Sequence, residues 1–223
     1  ILAMEGADPI VEPSQAAEWW ELGLRSVNLA HYGPSRYAVG TGAEGPLTSS
    51  GLELLREFER LGMILDATHL SDASFFEALD AFSGPVLASH NNCRAIVPGQ
   101  RQFSDEQLKL LIERGAVIGA AFDAWMLAPG WTKGKTPREV VGIEAAVDHV
   151  DHICQLAGDP RNVAIGSDLD GGFGTEQVPR GLDRISDLQK LGAVFASRGY
   201  SEQAIDGIFH GNWLRFFREH LPS

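Results

Sequence analysis

Apolar runs and helical stripes alternate along this chain. Short runs rich in Val, Ile, Leu and Ala occupy residues 2–5, 26–31, 63–69, 86–90, 116–122 and 163–168. Most are continuous rather than alternating, the pattern of parallel strands covered on both faces. Between them the spacing predicts helices over 14–22, 49–61, 72–82, 105–114 and 138–157, and three more over 182–198, 202–209 and 211–220. In 49–61, Leu52, Leu55, Phe58 and Leu61 recur at helical spacing and Gly62 closes the helix. Ser71 reads as the N-cap of 72–82. Ser104 with Gln107 reads as a capping box for 105–114, which Gly115 ends, and Gly158 followed by Pro160 ends the longest helix.

The order β-α-β-α through six strands predicts an α/β fold: a parallel sheet with right-handed crossovers. No linker divides the chain and no repeat or low-complexity tract stands out, so 1–223 reads as one domain. Three Gly/Pro-rich loops, 32–47, 124–137 and 170–181, each follow the C-terminal end of a strand, where α/β folds place their binding sites.

Composition narrows the function classes. The 223 residues are 44% hydrophobic and 22% charged, which argues against disorder. The net charge of −12 gives no footprint for nucleic acid, and an anionic membrane would repel it. No stretch approaches the ~20 apolar residues of a membrane span. Two cysteines, Cys93 and Cys154, make at most one bridge and read as reduced, packed thiols. The expected location is the cytoplasm. The chain begins Ile1-Leu2-Ala3 without an initiator Met, so it reads as processed or as a fragment.

Five apolar runs finish in an ionisable residue: Glu5, His31, His69, His90 and Asp168. In a barrel, the C-terminal rim is where catalytic groups from different strands converge. Two neutral histidines and a carboxylate make a zinc-type ligand set, and an Asp on the rim suits a general base. His149 and His152, three apart in 138–157, read instead as part of a charged helix surface beside a stripe of Val147, Val150, Ile153 and Ala157, and His210 and His220 read likewise. The five Trp residues read as packing and loop anchors. No dinucleotide, phosphate-loop or G-x-S-x-G signature occurs, and Cys93 has no other sign of an activated nucleophile.

Taken together these segments resemble the membrane dipeptidase (renal dipeptidase) family of zinc metallopeptidases, in its bacterial branch. The likeness runs from MEG at 4–6 through THL at 68–70, ASHNNCRAIVP at 88–98, RQFSD at 101–105, AFDAWM at 121–126 and GSDLDGGFG at 166–174 to GNWLRFF at 211–217. It implies a (β/α)8 TIM barrel of the metallo-dependent hydrolase type, a two-zinc site and hydrolysis of dipeptides with a free C-terminal carboxylate by metal-activated hydroxide. By resemblance, Glu5 bridges the metals, and His69 and His90 ligate one of them. His31 contacts the substrate carbonyl and stabilises the oxyanion. Arg101 grips the substrate carboxylate, Arg94 fitting that place less well. Asp168 is the acid/base, ahead of Asp170.

The family's other metal is held by a His-x-Asp pair closing the first barrel strand, and the sequence is read as holding no His-x-Asp. The six strands correspond to barrel strands three to eight, so the chain is expected to lack the first two βα units and to carry one complete set of zinc ligands. The expected partner is a small dipeptide, with a homodimer admitted and neither nucleic acid nor membrane indicated. Two alternatives stay open: a metal-dependent hydrolase of lactams or acyl amino acids, and a degenerate member without catalysis.

Overall fold

A computed structural model describes residues 1–221. All six apolar runs form strands: β1 (Leu2–Met4), β2 (Leu24–Asn28), β3 (Ile64–Asp66), β4 (Val86–Leu87), β5 (Ile118–Ala120) and β6 (Val163–Ile165). Every pairing between them is parallel, in one four-stranded sheet of order β1-β2-β3-β4 and one two-stranded sheet of β5 and β6. With helices between the strands, this is a parallel α/β fold.

Each strand stops short of the ionisable residue that closes its apolar run. Glu5 is the next residue after β1, whereas His31, His69, His90 and Asp168 each lie three positions beyond the last residue of their strand. The ladder cannot run on to two of them. His69 (φ 72°) and Asp168 (φ 56°) are left-handed, the only non-glycine residues so placed among those described. These ionisable residues are therefore carried on turns, not on the strands themselves.

The chain divides into two compact units. The first comprises Ile1–Ser89, Glu113–Ala116 and the chain end from Phe216. It holds the four-stranded sheet with α1 (Ala16–Glu21), α2 (Ser49–Leu61) and α3 (Asp72–Ala81). Leu24, Val27, Ile64 and Leu65 of the strands and Leu54, Leu55, Phe58 and Phe75 of the helices are buried in it. Thr48 caps α2 through Gly51 N–H, Gly62 ends it in the left-handed conformation, and Ser71 caps α3 through Ser74 N–H. The buried stripe of α2 is Leu54, Leu55 and Phe58 rather than the expected set, and Leu52 is exposed.

The second unit comprises His90–Ile112 and Val117–Arg215. It holds β5 and β6 with α5 (Ala124–Leu127), α6 (Glu144–Ala157), α7 (Leu191–Ser197) and α8 (Glu202–Asp206). Helix α4 (Asp105–Glu113) has the expected reciprocal box: Ser104 N–H donates to Gln107 Oε1 and Gln107 N–H to Ser104 Oγ. The helix expected over 138–157 is broken. Residues Arg138–Val140 form a single 3-10 turn, after which Arg180 N–H donates to Val141 O and Ile143 N–H to Arg180 O, so that Val141 is extended and α6 starts at Glu144. The expected helix 182–198 likewise opens with a 3-10 stretch, Ile185–Lys190. The last two expected helices are joined by one π-helical turn, Gly207–Gly211, leading into α9 (Asn212–His220). Asn212 Nδ2 donates to the carbonyls of Pro160 and Val163, and Trp213 Nε1 to Ile165 O, which ties this helix start to β6.

Candidate metal centre and surrounding residues

In the first unit, Glu5, His31 and His69 come together. Their ligand atoms all lie within 4.8 Å of one another. His69 Nε2 is 3.3 Å and His31 Nε2 3.9 Å from Glu5 Oε1. The two imidazoles meet edge to face at 4.4 Å between centroids, and the Tyr32 ring packs on both. His69 is 5% exposed, whereas the Glu5 and His31 side chains are about half exposed. One carboxylate and two imidazoles facing one point suit a divalent ion of the zinc type.

The turn that carries His69 is fastened from beneath. Asp66 Oδ1 accepts from Thr68 N–H and from Ser89 N–H, each at 3.0 Å. Asn28 Nδ2 donates to Thr68 O at 3.0 Å. Ala67 N–H donates to Leu87 O, and Ser71 N–H to Val39 O. Sequence reasoning passed over Asn28 and Asp66. The signal was a polar residue within otherwise apolar runs, SVNLAH and MILDATH.

The loop after β2 is also built onto this centre. Thr41 N–H donates to His31 O at 2.9 Å, and Thr41 Oγ1 lies 2.9 Å from His69 Nδ1. Gly40 allows this close approach, since a Cβ there would fall 2.2 Å from His31 O.

In the second unit, His90 begins a buried turn. Arg101 is 5% exposed; its Nη2 donates to His90 O at 2.9 Å and its Nη1 makes a short bond to Asn91 Oδ1. At least part of its planar fork therefore grips the turn after β4. Arg94 donates to the carbonyls of Gly99 and Gln102, a role within its own loop. Asn92 clasps β5 through Ala121, its Oδ1 accepting from the Ala121 N–H and its Nδ2 donating to the Ala121 carbonyl.

Asp168 sits on the turn after β6 with Gly171 directly against its carboxylate; a Cβ at Gly171 would lie 2.5 Å from Asp168 Oδ1. Its electrostatic neighbour is Asp123, which sequence reasoning noted only within AFDAWM. Asp123 accepts from Trp125 Nε1 at 2.7 Å and Gln177 Nε2 at 2.6 Å. Burial pushes the Asp123 carboxyl above its ordinary range, those two donors pull it back, and the charge of Asp168 pushes it up again. Beside them is a cavity of about 440 Å3 lined by Ser167, Leu169, Asp170, Phe173 and Arg184 among others.

One expectation is corrected. His149 is not on a charged surface: it is fully buried, and its Nδ1 accepts from Cys93 N–H at 3.0 Å. Burial pushes its pKa down to about 4. His152, by contrast, pairs with Asp105 at 2.7 Å at the protein surface. The triplet His149-Val150-Asp151 is a His-x-Asp by spacing, but it lies within α6, with Asp151 engaged by Arg198 and Tyr200. Cys93 and Cys154 are both free thiols, and burial raises both pKa values, Cys154 to about 11.

The three side chains form a candidate metal-binding group on an α/β scaffold. A family model, membrane dipeptidase (peptidase family M19), matches residues 1–221, and the chain belongs to that family. The chain is similar to dipeptidase tcpJ of Claviceps purpurea, 32% identical over 202 residues that cover 89% of this chain and 45% of the relative. A metallopeptidase of Rhodobacter sphaeroides, solved with a phosphinate mimic of the dipeptide L-Ala-D-Ala, superposes with a TM-score of 0.87 at 28% identity, covering 99% of this chain and 63% of that one. The solved dipeptidase AC of the same peptidase family gives a TM-score of 0.88 at 27% identity, with 100% and 66% covered. The chain thus spans about half to two thirds of the length of these three relatives.

Proposed function

We propose that this chain acts in a zinc-dependent dipeptidase whose six strands correspond to strands three to eight of a (β/α)8 barrel. The observation that carries the reading is the Glu5–His31–His69 cluster in a member of a metallodipeptidase family. The barrel reading rests on the family match. Glu5, His69 and His90 would hold zinc, and two ions are the family's complement. When bound, zinc supplies Lewis acidity toward a peptide carbonyl and acidifies a coordinated water.

The chain's own residues supply the remainder. Asp168 accepts the proton of the attacking water and returns it to the leaving amine. His31 donates a hydrogen bond to the carbonyl oxygen as negative charge develops there, a contribution of ~3 kcal/mol in comparable sites. By the resemblance Arg101 would face the substrate's terminal carboxylate, while its Nη1 and Nη2 also hold the turn that follows β4. The solved relative holding a dipeptide mimic supports a dipeptide as substrate.

Metal content and hydrolysis of a free dipeptide against its C-terminal amide, in wild type and His69→Ala, test the reading. Zinc in the wild type, its loss in the variant and a preference for the free acid are the expected results. A wild-type protein without metal, or a variant of undiminished activity, overturns it. Equal turnover of the amide, or faster turnover of lactams or acyl amino acids, moves the substrate class.

A further inference from the structure

The loop between β2 and α2 reads from sequence as a Gly/Pro-rich connection. In the structure it turns back on itself through paired backbone at Tyr32 with Thr41 and at Pro34 with Val39. Gly33 N–H donates to Thr41 O and Gly40 N–H to Gly33 O. Gly40 also bridges to Leu70, the residue after His69. The segment is therefore fixed against both histidine-bearing turns, and Thr41 contacts each. The Thr41 backbone N–H holds His31 O, and the buried Thr41 hydroxyl meets His69 twice, at Nδ1 (2.9 Å) and at the carbonyl oxygen (3.3 Å).

Those two contacts fit one arrangement of the protons. A hydroxyl carries one proton and two lone pairs. Donated to the His69 carbonyl, that proton leaves Oγ1 as an acceptor toward Nδ1, so Nδ1 carries the ring hydrogen. Nε2, which faces Glu5 at 3.3 Å, then keeps its lone pair. A histidine ligates a metal only through a bare nitrogen, and a partner on the other nitrogen sets which one is bare.

We infer that Thr41 is a positioning residue of the metal centre, which selects the Nδ1–H tautomer of His69 and aims Nε2 at Glu5 and His31. The inference rests on the zinc reading of this centre. It assigns the β2–α2 loop to the site as a fixed support.

Two measurements test it. Nitrogen-15 NMR of the histidine rings, on protein stripped of metal with a chelator, reads the tautomer directly; His69→Gln assigns the signal. Nδ1–H is expected for His69, and a predominantly Nε2–H ring overturns the inference whether or not any variant folds. Titration with Co2+, followed by its visible absorption and by competition with a chelator, compares wild type, Thr41→Val and Thr41→Ser. Thr41→Val is expected to bind about 10- to 100-fold more weakly, with Thr41→Ser close to wild type. Equal affinity in Thr41→Val, or an equal loss in Thr41→Ser, overturns the inference while leaving the zinc reading intact. A wild-type protein that binds no Co2+ overturns both.

Discussion

Asn28 and Asp66 are partners in the β2–β3 ladder, and between them they hold the backbone N–H and carbonyl of Thr68. Asn28 Nδ2 donates to Thr68 O, and Asp66 Oδ1 accepts from Thr68 N–H. Both side chains are buried, at 3% exposure. The next residue is His69, whose left-handed backbone a non-glycine residue rarely adopts. Such a conformation costs of order 1 kcal/mol or more and persists where its surroundings impose it. The Asn28–Asp66 pair is part of those surroundings, with the Thr41 contacts, and it connects sheet register to the direction of the His69 side chain.

Asp66→Ala removes the acceptor from two backbone N–H groups at once. The expected loss is about 3–6 kcal/mol of unfolding free energy, since each hydrogen bond to a charged group contributes about 1.5–3 kcal/mol. Metal affinity should fall with it, because the His69 turn is released. Urea denaturation with metal titration of the same preparation checks both. A variant of wild-type stability would mean that the turn is held by other contacts.

His31 lies close enough to Glu5 and His69 to act as a third ligand, or as a donor to a substrate held there. The proposed role is the second, so His31→Ala should keep its zinc and lose about 100- to 1,000-fold in kcat, the usual cost of one oxyanion donor. Zinc content by elemental analysis beside steady-state kinetics separates the two roles. Loss of zinc in His31→Ala would make His31 a ligand.

Gly171 tests the placement of Asp168. Its packing against the Asp168 carboxylate leaves no room for a methyl group, the nearest oxygen being 2.5 Å from where Cβ would sit. Gly171→Ala must therefore displace the carboxylate. If Asp168 transfers the proton, kcat falls by about 10- to 1,000-fold, within the range of general acid–base contributions, while zinc content is unchanged. Asp168→Asn should bring a loss at least as large. Full activity in Gly171→Ala together with a large loss in Asp168→Asn would show that the local chain can give way without harm.

The sequence made the strands and most helix ends legible because their signals are local. Apolar runs, the caps at Ser71 and Ser104, and the terminating glycines at 62 and 158 all act within a turn of their own position. The rim residues were legible for the same reason, as ionisable groups following apolar runs. What escaped is carried by contacts distant in sequence. Thr41 reaches His69 across a folded loop, Asp123 meets Gln177, and His149 meets Cys93. The break before α6 escaped because Arg180 competes for the backbone of Val141 and Ile143.

His149 also sets a pH dependence. It is buried beside the Cys93 backbone and accepts its N–H through Nδ1, which requires the neutral ring. Its pKa is about 4 in the folded chain, against about 6.5 for an exposed histidine. Between these values the unfolded chain binds a proton that the folded chain does not. Stability is therefore fully present above about pH 6.5 and is lost as pH falls toward 4, by about 3 kcal/mol in all. Carboxylates contribute to acid unfolding too, so the test compares two proteins. His149→Gln keeps an acceptor for the Cys93 N–H and cannot titrate in this range. Urea denaturation at pH 7, 5.5 and 4 should show a smaller fall in the variant than in wild type. Equal falls would place the acid sensitivity elsewhere and make the burial of His149 neutral with respect to pH.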